Sequence, residues 1–407
     1  NGEKSMTVSA SEDMGKHSSN WQVLILTLGV FGIINTEMGV VGIIPQIADT
    51  FEVTVPQAGW TVSVFALIVA ASAPVMPLLF SGVNRRTVML LALGLFTASN
   101  VVSALTDSFS VLLVARALPA FLHPVYVSMA FTVAGQSVRP EEASKAVSKV
   151  FVGVSAGMVL GVPVTSFITS HTSFSVAMWF FASVNASVLL ATLFCIPSLP
   201  VGERLSYGTQ LGVLRKPLVW YSVIGFTLIN GAMFGFFSFM SDFLNKVTGL
   251  PFDTVSALLL VYGLANIAGN VLAGKIFTQN KLRYMIVTPL FMLTGYLLLF
   301  TFGHVSIAAC ALVLLLGVLA GFVNIVGQYM ISSAAPEAPD FANGLFLTAA
   351  NFGTMAGTAL CGAFITASGT RHSLMGTLMF LVLSLLFVFV RCRTTHKLNK
   401  ELKTNEL

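Results

Sequence analysis

The hydrophobic residues of this chain form long uninterrupted stretches, separated by short clusters of Gly, Pro and charged residues. Twelve such stretches are present, each near the roughly 20 residues that a helix needs to cross a bilayer core. They run over residues 21–44, 57–80, 87–105, 111–135, 147–168, 174–196, 218–243, 255–277, 285–302, 307–332, 342–365 and 373–390. Little strand-like alternation is present, so the pattern predicts an all-α membrane protein with twelve transmembrane helices.

Composition and charge narrow the class of protein further. Of 407 residues, 56% are hydrophobic and only 9% are charged, against roughly 25% in a soluble domain. The net charge of +5 comes without a basic cluster, which excludes a nucleic-acid-binding protein. The four cysteines show no CxxC or metal-like spacing, so we expect packing residues and no metal site. Residues 1–20 are polar, and we expect a disordered tail rather than a cleaved signal peptide.

The Lys and Arg residues are distributed unequally between the two sets of loops. Eighteen of the 21 fall on the side that carries both termini, whereas Lys246 and Arg371 fall on the opposite side and Arg116 lies within a span. Cytoplasmic loops are enriched in these residues. Both termini are therefore predicted to be cytoplasmic.

The second half of the chain repeats features of the first. Without a gap, the residues Val64, Leu67, Ala71, Phe80 and Arg86 recur 197 positions later as Val261, Leu264, Ala268, Phe277 and Arg283. Gly157 and Gly161 recur at an offset of 196 as Gly353 and Gly357. This repeat predicts two six-helix bundles, residues 21–196 and 218–393, joined by a cytoplasmic linker over 197–217 and followed by a cytoplasmic tail over 394–407.

Two ionisable residues lie deep within predicted spans, where charge is costly and usually functional. Glu37 in the first span and Arg116 in the fourth are both about 10 Å from the outer boundary, at 1.5 Å per residue. If the two helices face one cavity, the side chains could pair and Glu37 could carry a proton. The alternative is a static ion pair that holds the two helices together.

Other polar residues are candidates to line a substrate cavity. His123 follows Arg116 by two helical turns on the same face, although it could equally form a hydrogen bond near a kink at Pro124. The remaining candidates are Asn35, Tyr126, Asn230, Asn324 and Gln328, and each could instead satisfy a neighbouring helix. Asp242, beside Lys246, is expected to be solvated at the membrane interface. The phenylalanines 234, 236, 237 and 239 are expected mostly to face lipid, with at most one or two available to a substrate.

A stripe of small residues marks the fifth span. Gly153, Gly157 and Gly161 recur every four residues and are followed by Pro163. Glycines at this spacing let two helix backbones approach closely, and a proline removes one hydrogen bond and bends the helix. We therefore assign these four residues to helix packing and gating.

Several of these motifs resemble the major facilitator superfamily, in the bacterial proton-coupled efflux branch that exports drugs, sugars and nucleosides. The resemblance covers residues 20–393. It rests on Thr36, Glu37, Gly42, Pro45 and Ala48; on Ala58, Gly59, Trp60, Ser63, Ala66, Leu67, Ala73 and Pro74; on the loop Asn84, Arg85 and Arg86; on Arg116; and on Gly157, Gly161, Val162 and Pro163. The last group is similar to the antiporter motif, which is associated with exporters.

The resemblance implies a major facilitator fold, two pseudo-symmetric bundles that alternate access around a central cavity lined by spans one, four, seven and ten. Glu37 and Arg116 would face that cavity and couple transport to protons, and Arg85 and Arg86 would latch the bundles at the cytoplasmic side. The family's loop usually carries an Asp where Asn84 stands here. The implied protein is a monomeric, multi-pass exporter of the bacterial inner (cell) membrane, of multidrug, sugar or nucleoside type, powered by the proton gradient and without a cofactor.

Two other readings remain open. The protein could be a proton symporter or facilitator for a sugar-like solute. A membrane-embedded enzyme is disfavoured, because one Glu with one Arg makes neither a metal site nor a nucleophile triad. A channel is disfavoured, because it would lack the duplicated bundles and the glycine stripe that resembles the antiporter motif.

Overall fold

The protein is helical, and its helices confirm the predicted number of spans. The computed structural model describes residues 2–139, 142–201 and 208–405, and no strand is present in these ranges. Twelve helical segments in them are long and apolar enough to cross a membrane. The segments are Asn20–Phe51, Val55–Ser72, Arg85–Leu105, Phe109–Gln136, Val152–His171, Phe174–Cys195, Pro217–Lys246, Phe252–Ile276, Lys281–Phe302, Ser306–Ala334, Phe341–Ser368 and Thr370–Leu398.

Prolines interrupt the helices of three spans in the first half. The first span is an α-helix over Gly2–Gly39, a 3-10 turn over Val40–Ile43 and a second α-helix over Ile44–Phe51. The second span consists of Val55–Ala58, Trp60–Ser72 and Met76–Phe80, and the fourth of Phe109–Ala120 and His123–Gln136. Prolines 45, 74, 77, 119 and 124 lie at or near these breaks. A proline cannot donate a backbone hydrogen bond, so the α-helical ladder is interrupted there.

The helices of the other spans are continuous. Their bounds are Arg85–Leu105, Ala143–His171, Phe174–Cys195, Pro217–Lys246, Phe252–Ile276, Lys281–Phe302, Ser306–Ala334, Pro339–Ser368 and Ser373–Asn405.

The amino-terminal segment differs from the sequence prediction. Residues 2–20 were expected to be disordered, whereas the first helix is described from Gly2. Extending an existing helix costs much less than starting one, so the apolar first span can propagate a helix into a polar segment. Of the predicted linker, residues 202–207 lie outside the described ranges, and a 3-10 helix covers Gly208–Arg215.

The two halves repeat the same helix pairings. The first span packs against the fifth as the seventh packs against the eleventh, and the third packs against the sixth as the ninth packs against the twelfth. Between the halves, the second span contacts the eleventh and the fifth contacts the eighth. This arrangement gives two pseudo-symmetric six-helix bundles with an interface between them.

Most of the polar contacts that join the halves lie at one end of the bundles. We call the end that carries both chain termini and the connection between the halves the terminal end, and the other the distal end. At the distal end, the hydroxyls of Ser166 and Ser256 are 2.6 Å apart, and Ser241 donates to the carbonyl of Gly42 at 3.2 Å. His171 and Asp253 approach to 3.5 Å at the same end. Nearer the terminal end, the hydroxyl of Thr348 donates to the carbonyl of Ala70 at 3.2 Å and joins the eleventh span to the second. Most of these contacts among the described residues are therefore at the distal end.

Candidate functional site

The Glu37 carboxylate meets His123 within the first half of the protein. The carboxylate Oε2 lies 2.8 Å from Nε2 of His123, and the two side chains are only 12% and 8% exposed. The Phe65 ring and the imidazole are nearly perpendicular, with ring centroids 5.7 Å apart. His123 opens the second helix of the fourth span, directly after the break near Pro119 and Pro124. The break therefore sets the position at which the imidazole faces the first span.

Arg116 binds the backbone of the first span rather than the Glu37 carboxylate. Its guanidinium donates to the carbonyls of Thr36 at 2.7 Å and Glu37 at 3.3 Å, and its Nε to the carbonyl of Thr61 at 3.4 Å. It also lies over the Phe65 ring, 4.7 Å from the centroid. The proposed ion pair with the Glu37 carboxylate is therefore not formed, because the carboxylate contacts His123.

The local backbone explains this arrangement. The first α-helix ends at Gly39, and the carbonyls of a helix's last turn lack their usual intrahelical partners. The five donors of a guanidinium suit such a group of acceptors. The contacts of Arg116 with residues 36 and 37 also place it at the same membrane depth as Glu37, as the sequence predicted.

Two of the predicted cavity residues, Asn35 and Tyr126, lie in tight helix contacts instead. Tyr126 is fully buried, and its hydroxyl presses against Gly29, where an added Cβ would be 1.8 Å from the hydroxyl oxygen. Asn35 is buried against Gly161, and its amide nitrogen has no hydrogen-bond partner among the described residues. Both side chains fill space that neighbouring glycines leave open, so they are not free to line a cavity.

The cavity candidates of the second half are also dispersed. Asn230 donates to the carbonyl of Ala350 at 2.6 Å and to the hydroxyl of Thr354 at 3.3 Å, which joins the seventh and eleventh spans. Asn324 is half-buried and Gln328 is exposed, and neither lines the cavity described below. Asn230 thus satisfies a neighbouring helix, the alternative that the sequence left open.

The glycine stripe of the fifth span lies against the first span. An added Cβ at Gly153 would be 2.3 Å from the carbonyl oxygen of Thr27, and one at Gly157 would be 2.9 Å from Cβ of Ile34. Gly161 faces Asn35 in the same way, and the helix continues through the buried Pro163. The second half repeats this contact, since Gly353 and Gly357 of the eleventh span face the seventh. Glycine at these positions permits the close approach of the two helix backbones.

Arg85 and Arg86 do not bridge the bundles in this structure. Arg85 is bonded to Gln136, and Arg86 donates to the carbonyl of Leu193 at 2.6 Å, so both partners belong to the first half. Asn84 caps the helix of the third span by accepting from the backbone of Arg86 at 3.1 Å. The expected latch is not made here, because both arginines bind partners in their own half.

Asp242 and the neighbouring phenylalanines depart from expectation. Asp242 is fully buried rather than solvated; its carboxylate lies 2.8 Å from Nζ of Lys246 and accepts from Thr370 at 3.1 Å. Phe236 and Phe239 are buried, and Phe234 and Phe237 are half-buried beside a cavity. None of the four mainly faces lipid, because the seventh span packs against several helices and exposes little of its surface.

Arg391 is a second buried arginine, which was counted among the basic residues of the loops and tails. Its Nε donates to Ser222 at 2.7 Å, and its Nη2 donates to the carbonyl of Met330 at 2.9 Å and to the hydroxyl of Ser333 at 2.8 Å. The side chain therefore joins the seventh, tenth and twelfth spans. It lies near the terminal end, which is the side on which the count of Lys and Arg residues placed it.

A cavity lies between the first, fifth, seventh and eighth spans. It holds about 610 Å³ of empty space, part of it open to the surroundings. Met38, next to Glu37 in the sequence, lines it, as do Ser155, Tyr262, Asn266 and Asn270. None of these five residues is among the cavity residues that the sequence predicted, although two asparagines one helical turn apart in an apolar span were a usable signal. No group of three or more His, Cys, Asp or Glu residues suited to a metal occurs among the described residues.

Comparison with known proteins identifies the family. Residues 26–338 match the family model described as Major Facilitator Superfamily. The chain belongs to this superfamily. It is therefore a multi-pass membrane transporter rather than an enzyme, and members of the family bind small-molecule substrates within the membrane.

The relatives are bacterial transporters that span nearly the same length. The uncharacterized MFS-type transporter YtbD of Bacillus subtilis is 31% identical over 86% of this chain and 90% of its own. The inner membrane transport protein YdhP of Escherichia coli is 28% identical over 92% and 96%. A probable sugar efflux transporter of Helicobacter pylori is 24% identical over 84% and 88%.

Solved structures of other members share the fold. A bacterial homologue of the human lysosomal transporter Spinster gives a TM-score of 0.73 at 19% identity, covering 94% of this chain and 98% of its own. One structure of the nucleoside transporter NupG, of a point mutant, gives a TM-score of 0.74 at 15% identity, covering 91% of this chain and 98% of its own. A second NupG structure gives 0.73 at 14% identity, covering 92% and 98%. At such identities the likeness establishes the major facilitator fold alone.

Proposed function

We propose that the protein exports a small organic solute from the cytoplasm in exchange for protons, by alternating access between two bundles. The observation that carries this proposal is the contact between Glu37 and His123. Ionisable side chains at membrane depth are costly and typically mark ion or proton pathways. Oε2 of Glu37 and Nε2 of His123 are 2.8 Å apart, so a proton bound by either group lies beside the other.

The surroundings of the pair suggest how proton binding would reach the cavity. Glu37 is half-buried, and the adjacent Met38 lines the cavity, so a solute there lies beside the helix that carries the acid. Arg116 ties that helix to the fourth span through the carbonyls of residues 36 and 37. A change in the charge of Glu37 or His123 would alter the attraction between the first and fourth spans. Alternating access requires these two spans to change their tilt.

Export and membrane location are supported by the relatives. The Helicobacter pylori relative is named a probable sugar efflux transporter, and the Escherichia coli relative an inner membrane transport protein. The glycine stripe that resembles the antiporter motif points the same way. We assign the terminal end to the cytoplasm, since 18 of the 21 Lys and Arg residues fall on that side. The proposed transporter is a monomer in a bacterial inner membrane that uses the proton gradient and no cofactor.

A second candidate is a proton symporter or facilitator for a sugar-like solute. The names of several relatives, which are probable sugar efflux transporters, favour a sugar-like solute but not this direction of transport. Counterflow in proteoliposomes separates the two, because a facilitator shows the same solute exchange with and without a pH gradient.

The test is transport by reconstituted protein under an imposed pH gradient. Labelled nucleosides, sugars and cationic dyes are offered, and proton movement is followed with a trapped pH-sensitive dye. We expect Glu37→Gln to abolish solute-dependent proton movement while solute counterflow persists. Asp49→Asn, which removes an exposed acid from the same span, is the control and should behave as wild type. Undiminished proton movement in Glu37→Gln would refute the proposal.

A further inference from the structure

The cavity between the first, fifth, seventh and eighth spans has a graded lining. It encloses about 610 Å³ of empty space, part of it open to the surroundings, and fourteen described residues line it. Depth follows from the helical rise of 1.5 Å per residue. Counted from the distal ends of their helices, Phe237 and Tyr262 lie about 14 and 15 Å deep. Ser155, Asn266 and Asn270 lie about 21–27 Å deep on the same scale. The aromatic groups therefore occupy the middle of the bilayer and the polar groups the part nearer the terminal end.

The middle part of the cavity is built for a ring. The rings of Phe237 and Tyr262 stack with centroids 4.9 Å apart and an interplanar angle of 17°. Phe234 meets Phe237 edge to face at 5.9 Å. Met38, Met158 and Met233 also line the cavity, and thioethers make favourable contacts with aromatic rings. Aromatic rings gain about 0.5–1.5 kcal/mol from such packing beyond the area that they bury.

The end of the cavity nearer the terminal end offers both a donor and an acceptor. The amide nitrogen of Asn270 donates to the amide oxygen of Asn266 at 3.0 Å, one helical turn apart. This bond leaves an amide nitrogen and an amide oxygen of the pair without a side-chain partner among the described residues. If both amides are flipped, one donor and one acceptor still remain. The hydroxyl of Ser155 adds a third group at this level.

The composition of the lining excludes two solute classes. None of the fourteen described lining residues is Asp, Glu, Lys, Arg or His, so a charged solute would be buried without a counter-charge. Only three carry an amide or an aliphatic hydroxyl, while a free hexose presents five hydroxyls. Each buried hydroxyl without a partner costs about 1–3 kcal/mol, so a free sugar is disfavoured.

We propose that this cavity binds a neutral solute that carries an aromatic ring and a few hydrogen-bonding groups, fewer than the five hydroxyls of a free hexose. The ring lies against Phe237 and Tyr262, and a polar group meets Asn266 and Asn270. The assignment of this solute as the exported substrate rests on the proposed function, whereas its binding does not.

The test is equilibrium binding to the full-length protein in detergent, without any ion gradient. The probes are two neutral ring-bearing solutes, chloramphenicol and thymidine, together with glucose and the cation tetraphenylphosphonium. We expect saturable binding of a ring-bearing probe that exceeds binding of glucose and of the cation. Phe237→Ala should raise its Kd about tenfold, through the loss of ring packing. Asn266→Leu should raise the Kd several-fold, through the loss of a hydrogen bond.

A matched control keeps the result interpretable. Phe291→Ala removes a phenylalanine that is 60% exposed on the ninth span, and it should leave the Kd unchanged. If Phe237→Ala does not fold, Phe237→Leu keeps most of the volume and still removes the ring. The inference is overturned if glucose or tetraphenylphosphonium binds more tightly than the ring-bearing probes, or if neither ring-bearing probe binds. It is also overturned if Phe291→Ala loses as much affinity as Phe237→Ala. Binding without proton-coupled transport contradicts only the proposed function.

Discussion

Gly357 is a position at which even one added methyl group should damage the second bundle. A Cβ placed there would be 1.9 Å from the carbonyl oxygen of Gly231 and 2.6 Å from its carbon. Both atoms belong to the backbone of the seventh span, so no side-chain rotation relieves the overlap. The corresponding position in the first half, Gly161, would place its Cβ 3.0 Å from the side-chain oxygen of Asn35. That contact requires an adjustment of only a few tenths of an ångström.

The distances set the expected cost of Gly357→Ala. Carbon and oxygen atoms in close contact are normally about 3.3 Å apart, so the seventh and eleventh spans must separate by roughly 1.4 Å. Overpacking of a filled core costs about 1–3 kcal/mol, and we expect the upper value because backbone must move. With an unfolding entropy near 2.1 cal/mol/K per residue, about 3 kcal/mol lowers the melting temperature by roughly 3–4 °C.

Thermal unfolding of the purified protein measures this effect. A thiol-reactive dye reports exposure of the buried Cys361 and Cys392 in a background in which the less buried Cys195 and Cys310 are serine. We expect Gly161→Ala to melt close to the parent. Gly94→Ala is the control, since nothing lies within 4 Å of its added Cβ. A melting temperature of Gly357→Ala equal to that of Gly94→Ala would refute the close-packing interpretation.

Two further predictions concern the ends of the bundles. Because the hydroxyls of Ser166 and Ser256 are 2.6 Å apart, a Ser166→Cys/Ser256→Cys double variant should form a disulfide under oxidation, seen as a mass shift in a peptide map, and transport should stop until it is reduced. Activity unaffected by complete cross-linking would show that the distal end need not open. At the terminal end, the hydrogen bond from Lys216 holds the pKa of Glu337 below its ordinary value of 4.5. Its stabilisation is then present above pH 4.5 and is lost as the pH falls through the lowered pKa; being solvent-exposed, it is worth at most about 0.5 kcal/mol. Melting curves of Glu337→Gln should match wild type within that amount at pH 7 and converge with it in acid, and a larger gap in acid than at pH 7 would contradict the sign.

The candidate proton site shows how much of a site the residue types and their spacing predict before any tertiary contact is known. The rarity of acids within the spans identified Glu37, and the helical rise placed Arg116 at its level. Which group the Glu37 carboxylate contacts depended on where the first helix ends, and the hydrophobic periodicity does not specify that residue. The first α-helix ends at Gly39, and the carbonyls of its last turn take up the guanidinium, which leaves the carboxylate to His123.

The asparagines within the spans also show that residue type alone does not predict which side chains line the cavity. Asn35 and Asn230 looked like cavity residues because they are polar within apolar spans, and both lie in helix contacts. Asn266 and Asn270 had the same local character, yet these two line the cavity. A polar residue in an apolar helix can face a neighbouring helix, a solute or water, and the sequence alone does not reveal which of them it meets.

The sequence by itself determined that the chain crosses a membrane twelve times as helices, that its halves are repeats, and which few residues carry charge at depth. These properties follow from hydrophobic length, from spacing and from the cost of burying charge, all of which are local. Only the tertiary structure decided which side chains meet. The pairing of Glu37 with His123, the burial of Asp242 and the position of the cavity depend on how tightly each helix pair packs. Glycines and prolines set that distance to within an ångström, a precision that the hydrophobic pattern does not encode.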